Sequence, residues 1–546
     1  MLADSDEETR EILKTIRARQ AKDKRDTSDL VTVHADQVET SEHREAGSVH
    51  VGYQFWKRLG LDAILGEIGL IEKARILTCA MTLNRLIFPL SEHAMPDWIR
   101  GMAIEDILGV DLKELSDDAL YRNLDRLYPN KAAIESALAE REKSLFHLDP
   151  LVFFYDITST YFEGEANGNA KTKRGYSWDK RPDCKQVLVG LAIGKEGFPL
   201  AHEVMAGNLQ DHRTLDDMLQ LIQERVGLSE GQTVVIDRGM AYEENIEQIV
   251  SRELHYIVAS RQSERDHWLS EFEEVEGFEE MHGSPSPLNP FQKKSEVKIK
   301  KVRQGEMTYV LCISSGRLEK DKAIREKQQE RFLRDIAKLQ KRIQDGRLLQ
   351  EAAIHEAIGR IKERYPRVCR YYEIGLDMKT NSLHCKQHAE KMQKAELLDG
   401  SYLLKTDRDD LSADEIWRVY MTLTRVEAAF RAMKSPLSER PIFHQLERRV
   451  ETHIFLCVLA YHLMVAIENT LLERGVHTSW WTVRQILRTH QICTIVLPAD
   501  NGTVLNIRKA SKPEPDHNEV YTLFGIPTEI MSPKKFWTDQ EGEYSD

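Results

Sequence analysis

Leu151 to Tyr155 form an apolar and aromatic run that leads straight into Asp156, within the stretch LVFFYDITSTYFE. Such a run, rich in Val and Phe, has no polar face and fits a strand buried on both sides of a sheet. A carboxylate at the end of a buried strand is costly unless water or a cation compensates it. Asp156 therefore either caps a turn through Thr158 to Thr160 or emerges at the sheet edge to meet a cation. The pattern recurs at Thr233 to Ile236, an apolar run that ends in Asp237 and is followed by the turn pair Arg238-Gly239. On adjacent strands the two carboxylates would lie side by side and repel, and a divalent cation relieves such repulsion.

The chain of 546 residues suggests several domains. Residues 1–50 are dense in charge and read as a mobile arm or a solvated helix, with Lys22, Lys24 and Arg25 as its basic cluster. Residues 51–149 read as an all-helical module: Phe55, Leu59, Leu61, Ile64, Leu65 and Ile68 recur at helical spacing, and Ser116 precedes an acidic first turn. Groove reading at a DNA end and plain helix packing give the same pattern there. Residues 150–262 alternate strands and helices, with a hairpin signal at Gly194 to Gly197, and strand character returns at Ser401 to Lys405. Residues 263–399 read as an insertion. It contains the loop Ser284 to Pro290, the basic alternating stretch KKSEVKIKKVR, which suits a DNA backbone or a lysine-protected edge strand, and a helical hairpin. The predicted fold class is α/β: a mixed-sheet core over 150–262 and 400–470, split by that insertion, plus the helical module. Residues 471–546, with Trp480 and Trp481, form a C-terminal region read as a candidate dimer contact.

The formal net charge of −13 argues against a protein coated in basic surface but leaves local patches open. Seven cysteines without a CxxC pair suggest a reducing, cytoplasmic setting. His384, Cys385 and His388 lie close together in sequence, but no fourth metal ligand is apparent. The acidic N-terminus lacks the apolar core of a signal peptide, and the apolar run Ile454 to Ile467 is too short to span a bilayer, so no membrane role is expected.

One loop concentrates cations: Lys171, Lys173, Arg174, Lys180 and Arg181, with Lys185 nearby and Tyr176 and Trp178 among them. Cations contact phosphates and aromatic rings stack on unpaired bases, although a charged hairpin loop gives the same composition. A third acid, Glu427, shares a helix face with Arg431 and Lys434, while Val426, Ala429, Phe430 and Met433 face a core.

YDITSTYFEGE, GYSWDKRPDCKQVLVGLAI, GFPLAHEVMAGNLQDHRTL, VVIDRGMA and RVEAAFRAMKSPLSERPIFH together resemble the insertion-sequence-4 type of bacterial DDE transposases. The resemblance implies a ribonuclease-H-like core with Asp156, Asp237 and Glu427 as the catalytic, metal-holding acids. The family signature has a Tyr seven residues before the Glu, an Arg four before and a Lys seven after. Tyr420 and Lys434 match, while Leu423 stands at the Arg position, leaving Arg425 or Arg431 as its replacement. The family's inserted domain is strand-rich, so the helical hairpin makes residues 263–399 a partial match.

The implied chemistry is cleavage and joining of DNA by two Mg²⁺ ions, about 3.5–4 Å apart, with Mn²⁺ as a substitute. Lys434, Arg431, Tyr420, Arg425, Arg238 and the loop residues Lys171, Lys173, Arg174, Trp178, Lys180 and Arg181 form the expected DNA-binding set. Trp178 and Trp268 are candidates for the aromatic that holds a flipped base in related transposases. A homodimer on paired element ends, working at the bacterial nucleoid, is also implied. A ribonuclease-H-like nuclease without strand transfer and an inactive DNA-end-binding protein stand as alternatives.

Overall fold

The strand predicted to end at Asp156 carries on through it: Val152–Tyr161 is a single ten-residue strand. Thr158, Ser159 and Thr160 are buried within it and make no turn, which corrects the capping reading. β-branched Ile157, Thr158 and Thr160 favour extended backbone, and the neighbouring strand pairs along the whole segment from Phe153 to Tyr161.

The structure is a computed structural model that describes residues 32–148, 151–210, 213–274, 276–282, 295–377, 380 and 382–539. Lys22, Lys24, Arg25 and the Ser284 to Pro290 loop lie outside the described residues. In chain order the strands are β1 (Glu39–Glu45), β2 (Val152–Tyr161), β3 (Gln186–Gly194), β4 (Pro199–Ala206), β5 (Thr233–Ile236), β6 (His255–Ala259), β7 (Glu279–His282), β8 (Glu296–Gln304), β9 (Met307–Ser314), β10 (Tyr372–Asp377), β11 (Ser382–Gln387), β12 (Ser401–Thr406), β13 (Gln491–Pro498), β14 (Thr503–Ala510) and β15 (Lys534–Asp539). The chain divides into two units, one of residues 1–51, 97–114 and 484–546 and the other of residues 52–96 and 115–483. The helices between residues 51 and 149 are thus shared between both units.

The larger unit is a mixed α/β structure around a nine-stranded sheet of order β4-β3-β2-β5-β6-β12-β9-β8-β7. β2, β3 and β4 are antiparallel, whereas β5 runs parallel to both β2 and β6. The helices Leu215–Arg225 and Glu243–Val250 make the two parallel connections and cover one sheet face. Phe153, Tyr155 and Ile157 point into that layer, packed with Leu215, Met218, Leu219, Ile222 and Ile249. Basic β8 lies between β9 and β7, but β7 pairs only with Glu296 to Ile299, so from Lys300 onwards β8 pairs with β9 alone. The helices Ser315–Gln344 and Glu351–Arg364 build a separate core from Phe332, Ile336, Leu339, Ile354 and Ile358, joined by the β10–β11 hairpin.

The helix Glu447–Glu473 is long and apolar enough to cross a membrane, but its whole apolar window is buried inside the chain. It packs against the helices Glu72–Ile87 and Asp117–Leu127. The ion pairs beside its apolar face are enclosed too: His462 Nδ1 lies 2.7 Å from Glu142, with both side chains almost wholly buried.

The smaller unit has an antiparallel sheet of order β1-β13-β14-β15. Over residues 39–45 β1 replaces the expected arm or solvated helix, because its polar sequence gains its strand partner from β13. Ala46, Ala103 and Ile492 form its small core. Arg508 holds Asp106 at 2.7 Å and donates to the Glu42 carbonyl.

Candidate active site

Tyr155 of β2 and Ile236 of β5 are register partners in a parallel pair. The next residue on each chain is an aspartate: Asp156 continues β2, and Asp237 is the first residue past β5, just before the turn Arg238–Met240. Side chains alternate along a strand, so Asp156 faces away from the layer that holds Tyr155 and shares a face with Thr158 and Thr160. The Thr160 hydroxyl donates to Glu439, just beyond the helix that carries Glu427, so Asp156 faces the side of that helix. Asp156 is half-buried and accepts a hydrogen bond from the Ile157 amide at 2.8 Å. Asp237 is exposed, and the Tyr420 hydroxyl donates to its Oδ1 at 3.4 Å. Burial first, and then the charge of Asp237, push the Tyr420 phenol well up, so it remains a donor.

The helix Thr424–Lys434 buries Val426, Ala429, Phe430 and Met433 and packs against β2 and β3. Glu427 and Arg431 remain exposed on its other side. Leu423, at the family's Arg position, is buried. Arg425 donates to the carbonyl of Lys195 in the β3–β4 turn, so it ties the helix to that turn. Lys434 is only 10% exposed and pairs with Asp179 at 3.0 Å. Asp156, Asp237 and Glu427 offer only oxygen donors, the set that suits hard divalent cations.

The basic loop separates into two groups. Lys171 is held by Glu451 at 2.6 Å, with Glu203 and Glu447 within 4 Å, and these carboxylates outweigh the effect of burial and raise its pKa. Arg181 is bound by Asp183 at 2.9 Å and lies over the Tyr161 ring. Lys173, Arg174 and Lys180 are exposed and make no ion pair among the described residues. Trp178 is 51% exposed and meets the more exposed Tyr176 edge-on, with ring centroids 5.2 Å apart, while its amide is tied to Ser159 of β2. Trp268 is half-buried and packs against Tyr309 beside the cluster of Phe272, Leu311, Leu398 and Leu403. Arg238 is half-buried, and its Nε has no hydrogen-bond partner among the described residues.

His384 and Cys385 are consecutive on β11 and so point to opposite faces. Among the described residues, the three-ligand cluster lies elsewhere, at Glu92, His444 and His453. Sequence reasoning missed this cluster and also Asp179 and Glu439. Its signal was present in SERPIFH, where His444 follows the Glu427 helix closely.

The family model described as "Transposase DDE domain" matches residues 147–463, more than half of the chain, and the match includes all three acids. No curated protein matches the chain.

Proposed function

The chain belongs to the family of transposases with a DDE domain, and from that premise we propose that it cuts DNA at the ends of an insertion sequence and joins them to target DNA. DNA is the partner of this family, and divalent metal ions are its general cofactor. The observation that supports the finer reading is the Tyr155–Ile236 register, since Asp156 and Asp237 each follow it by one residue. The order β4-β3-β2-β5-β6, with three antiparallel strands followed by two parallel ones, supports a ribonuclease-H-like core of the insertion-sequence-4 type. On this reading residues 263–399 split that core.

Asp156, Asp237 and Glu427 would hold the two Mg²⁺ ions, which supply charge neutralisation at the phosphate and a lowered pKa for the attacking hydroxyl when bound. Tyr420 holds Asp237 in place through its hydroxyl. Arg431, Lys173, Arg174 and Lys180 bind backbone phosphates, and Trp178 stacks on an unpaired base. Lys434 reaches phosphate by exchanging Asp179 for it, and Lys171 and Arg181 shape the loop through their carboxylate partners. A homodimer on paired ends completes the reading.

The test is incubation of the full chain with the DNA flanking its own gene and Mg²⁺. Cleaved and joined products are expected, and Asp156→Asn, Asp237→Asn and Glu427→Gln each abolish both while DNA binding persists. Cleavage within a few-fold of the parent in any of the three removes that residue from the site. Cleavage without joining of pre-cut ends makes the protein a nuclease instead.

A further inference from the structure

A cavity of about 610 Å³ opens beside the loop that follows the Glu427 helix, lined by Arg85, Tyr121, Arg440, Phe443, His444 and Arg449. We infer that it is a second phosphate subsite, which holds the backbone of a DNA strand away from the bond being cut. The inference rests on the reading that this chain handles DNA.

The donors of the wall set the ligand. Three guanidiniums line the cavity; Arg440 and Arg449 have carboxylate partners outside the lining, Asp179 and Asp125, and the lining itself holds one carboxylate, Glu92. That carboxylate and its neighbours hold one of the three in place. His453 Nε2 lies 2.9 Å from the Glu439 carbonyl, so it carries the proton and leaves Nδ1 as an acceptor. Arg85 Nη2 sits 3.2 Å from that Nδ1 and 3.5 Å from Glu92 Oε1. Glu92 Oε2 is in turn 3.3 Å from His444 Nε2. Glu92, His444 and His453 have the spacing of metal ligands, but the Arg85 guanidinium already occupies lone pairs of two of them, Glu92 and His453. The cluster therefore orients a buried guanidinium, only 5% exposed, and a cation would have to displace it.

The other two guanidiniums are braced from behind. Arg449 is bound by Asp125 at 3.0 Å and lies over the Tyr121 ring at 5.1 Å, and Arg440 is bound by Asp179. A guanidinium has five N–H donors in a planar fork, so a braced Arg retains donors for phosphate. Phe443 is 65% exposed on the same cavity and offers a ring to a sugar or a base.

The location fits a strand of nucleic acid that continues past the acids. Ile442 bridges to Phe162, just beyond β2, and the two segments exchange backbone hydrogen bonds through Tyr161 and Glu163. Six residues separate Asp156 from Phe162, about 20 Å at roughly 3.3 Å per residue of strand. Along a duplex axis each strand carries one phosphate per ~3.4 Å, so on duplex DNA the subsite would engage backbone roughly six base pairs from the cut.

The experiment is calorimetric titration of the full chain in EDTA, which leaves the metal-holding acids out of the measurement. The probes are thymidine, inorganic phosphate, thymidine 5′-monophosphate and an eight-residue oligothymidylate. The expected result is saturable binding of the monophosphate, tighter binding of the oligonucleotide and none of thymidine. Arg449→Gln and Tyr121→Ala should each weaken monophosphate binding about tenfold, the size of one charged hydrogen bond. Arg85→Gln should do the same, with thermal melting as a check on its fold, and the exposed Arg360→Gln should change nothing. Absent saturable binding of nucleotide and oligonucleotide, or binding unaltered in both Arg449→Gln and Tyr121→Ala, overturns the subsite. Inorganic phosphate binding as tightly as the oligonucleotide overturns the DNA assignment. Loss of cleavage at element ends with these affinities intact would instead count against the transposase chemistry alone.

Discussion

Lys434 Nζ lies 3.0 Å from Asp179 Oδ1, an oxygen that Arg440 also binds, while Asp179 Oδ2 is buried without a hydrogen-bond partner among the described residues. Two cations share one carboxylate whose side chain is only 4% exposed. Removing the acid strands both charges, and breaking a buried pair costs about 3–5 kcal/mol. Asp179→Asn is therefore expected to lose about that much unfolding free energy, and Lys434→Met less, because Arg440 still neutralises the acid. Urea denaturation of the two variants decides, and a smaller loss for Asp179→Asn than for Lys434→Met would contradict the shared pairing.

Tyr420 and Asp237 give a test of site organisation that leaves the acids intact. The hydroxyl contact is long, at 3.4 Å, so its contribution is modest. Tyr420→Phe is expected to lower the cleavage rate up to about tenfold and to raise the Mg²⁺ concentration for half-maximal rate. An unchanged Mg²⁺ dependence would show that the hydroxyl does not position Asp237.

Gly207 is a packing constraint on the basic loop. A Cβ there would lie 2.0 Å from the Gln186 carbonyl oxygen and 2.9 Å from that of Lys173, both backbone atoms that cannot swing aside. Gly207→Ala should cost at least about 1–3 kcal/mol, the usual range for overpacking. It should also loosen the loop that presents Lys173 and Arg174. A thermal midpoint equal to the parent's would refute the close approach.

His490 makes the smaller unit acid-sensitive. It is fully buried, with Nδ1 2.6 Å from the Tyr521 hydroxyl and Nε2 3.0 Å from the Ser511 carbonyl, and it stacks on His517. Burial, aided by His517 and His50, holds its pKa at about 4, below the 6.5 of a free imidazole. The folded state thus binds the proton less readily than the unfolded chain. The neutral imidazole's contribution is complete above about pH 6.5 and is lost as pH falls from there towards 4. The loss is on the order of 3 kcal/mol at the low end. His490→Gln should flatten that part of the stability profile, and a parallel profile for parent and variant would exclude the residue.

The acids were legible because each sits in a local pattern: an apolar run before Asp156 and Asp237, and an amphipathic helix around Glu427. The side-by-side placement of the aspartates was conditional on strand adjacency, which no local pattern states and which the parallel β2–β5 pairing supplies. Charge counting failed at Lys171 because its partner Glu451 is 280 residues away and consumes the cation. β1 was illegible for a related reason: TSEHRE has almost no apolar residue to pattern, and β13, far along the chain, provides its hydrogen bonds. The packing of Trp268 on Tyr309 was likewise illegible, since an aromatic in a charged stretch does not show which ring it meets.

The Glu447–Glu473 helix is enclosed on every side, and the Glu72–Ile87 and Asp117–Leu127 helices are among the walls that enclose it. A ribosome must therefore deliver more than four-fifths of the polypeptide before those early helices find their partner. Until then their greasy faces stay bare, which makes the nascent protein a client for holding chaperones. A message cut short ahead of this segment would yield an aggregating fragment and not a competitor for DNA.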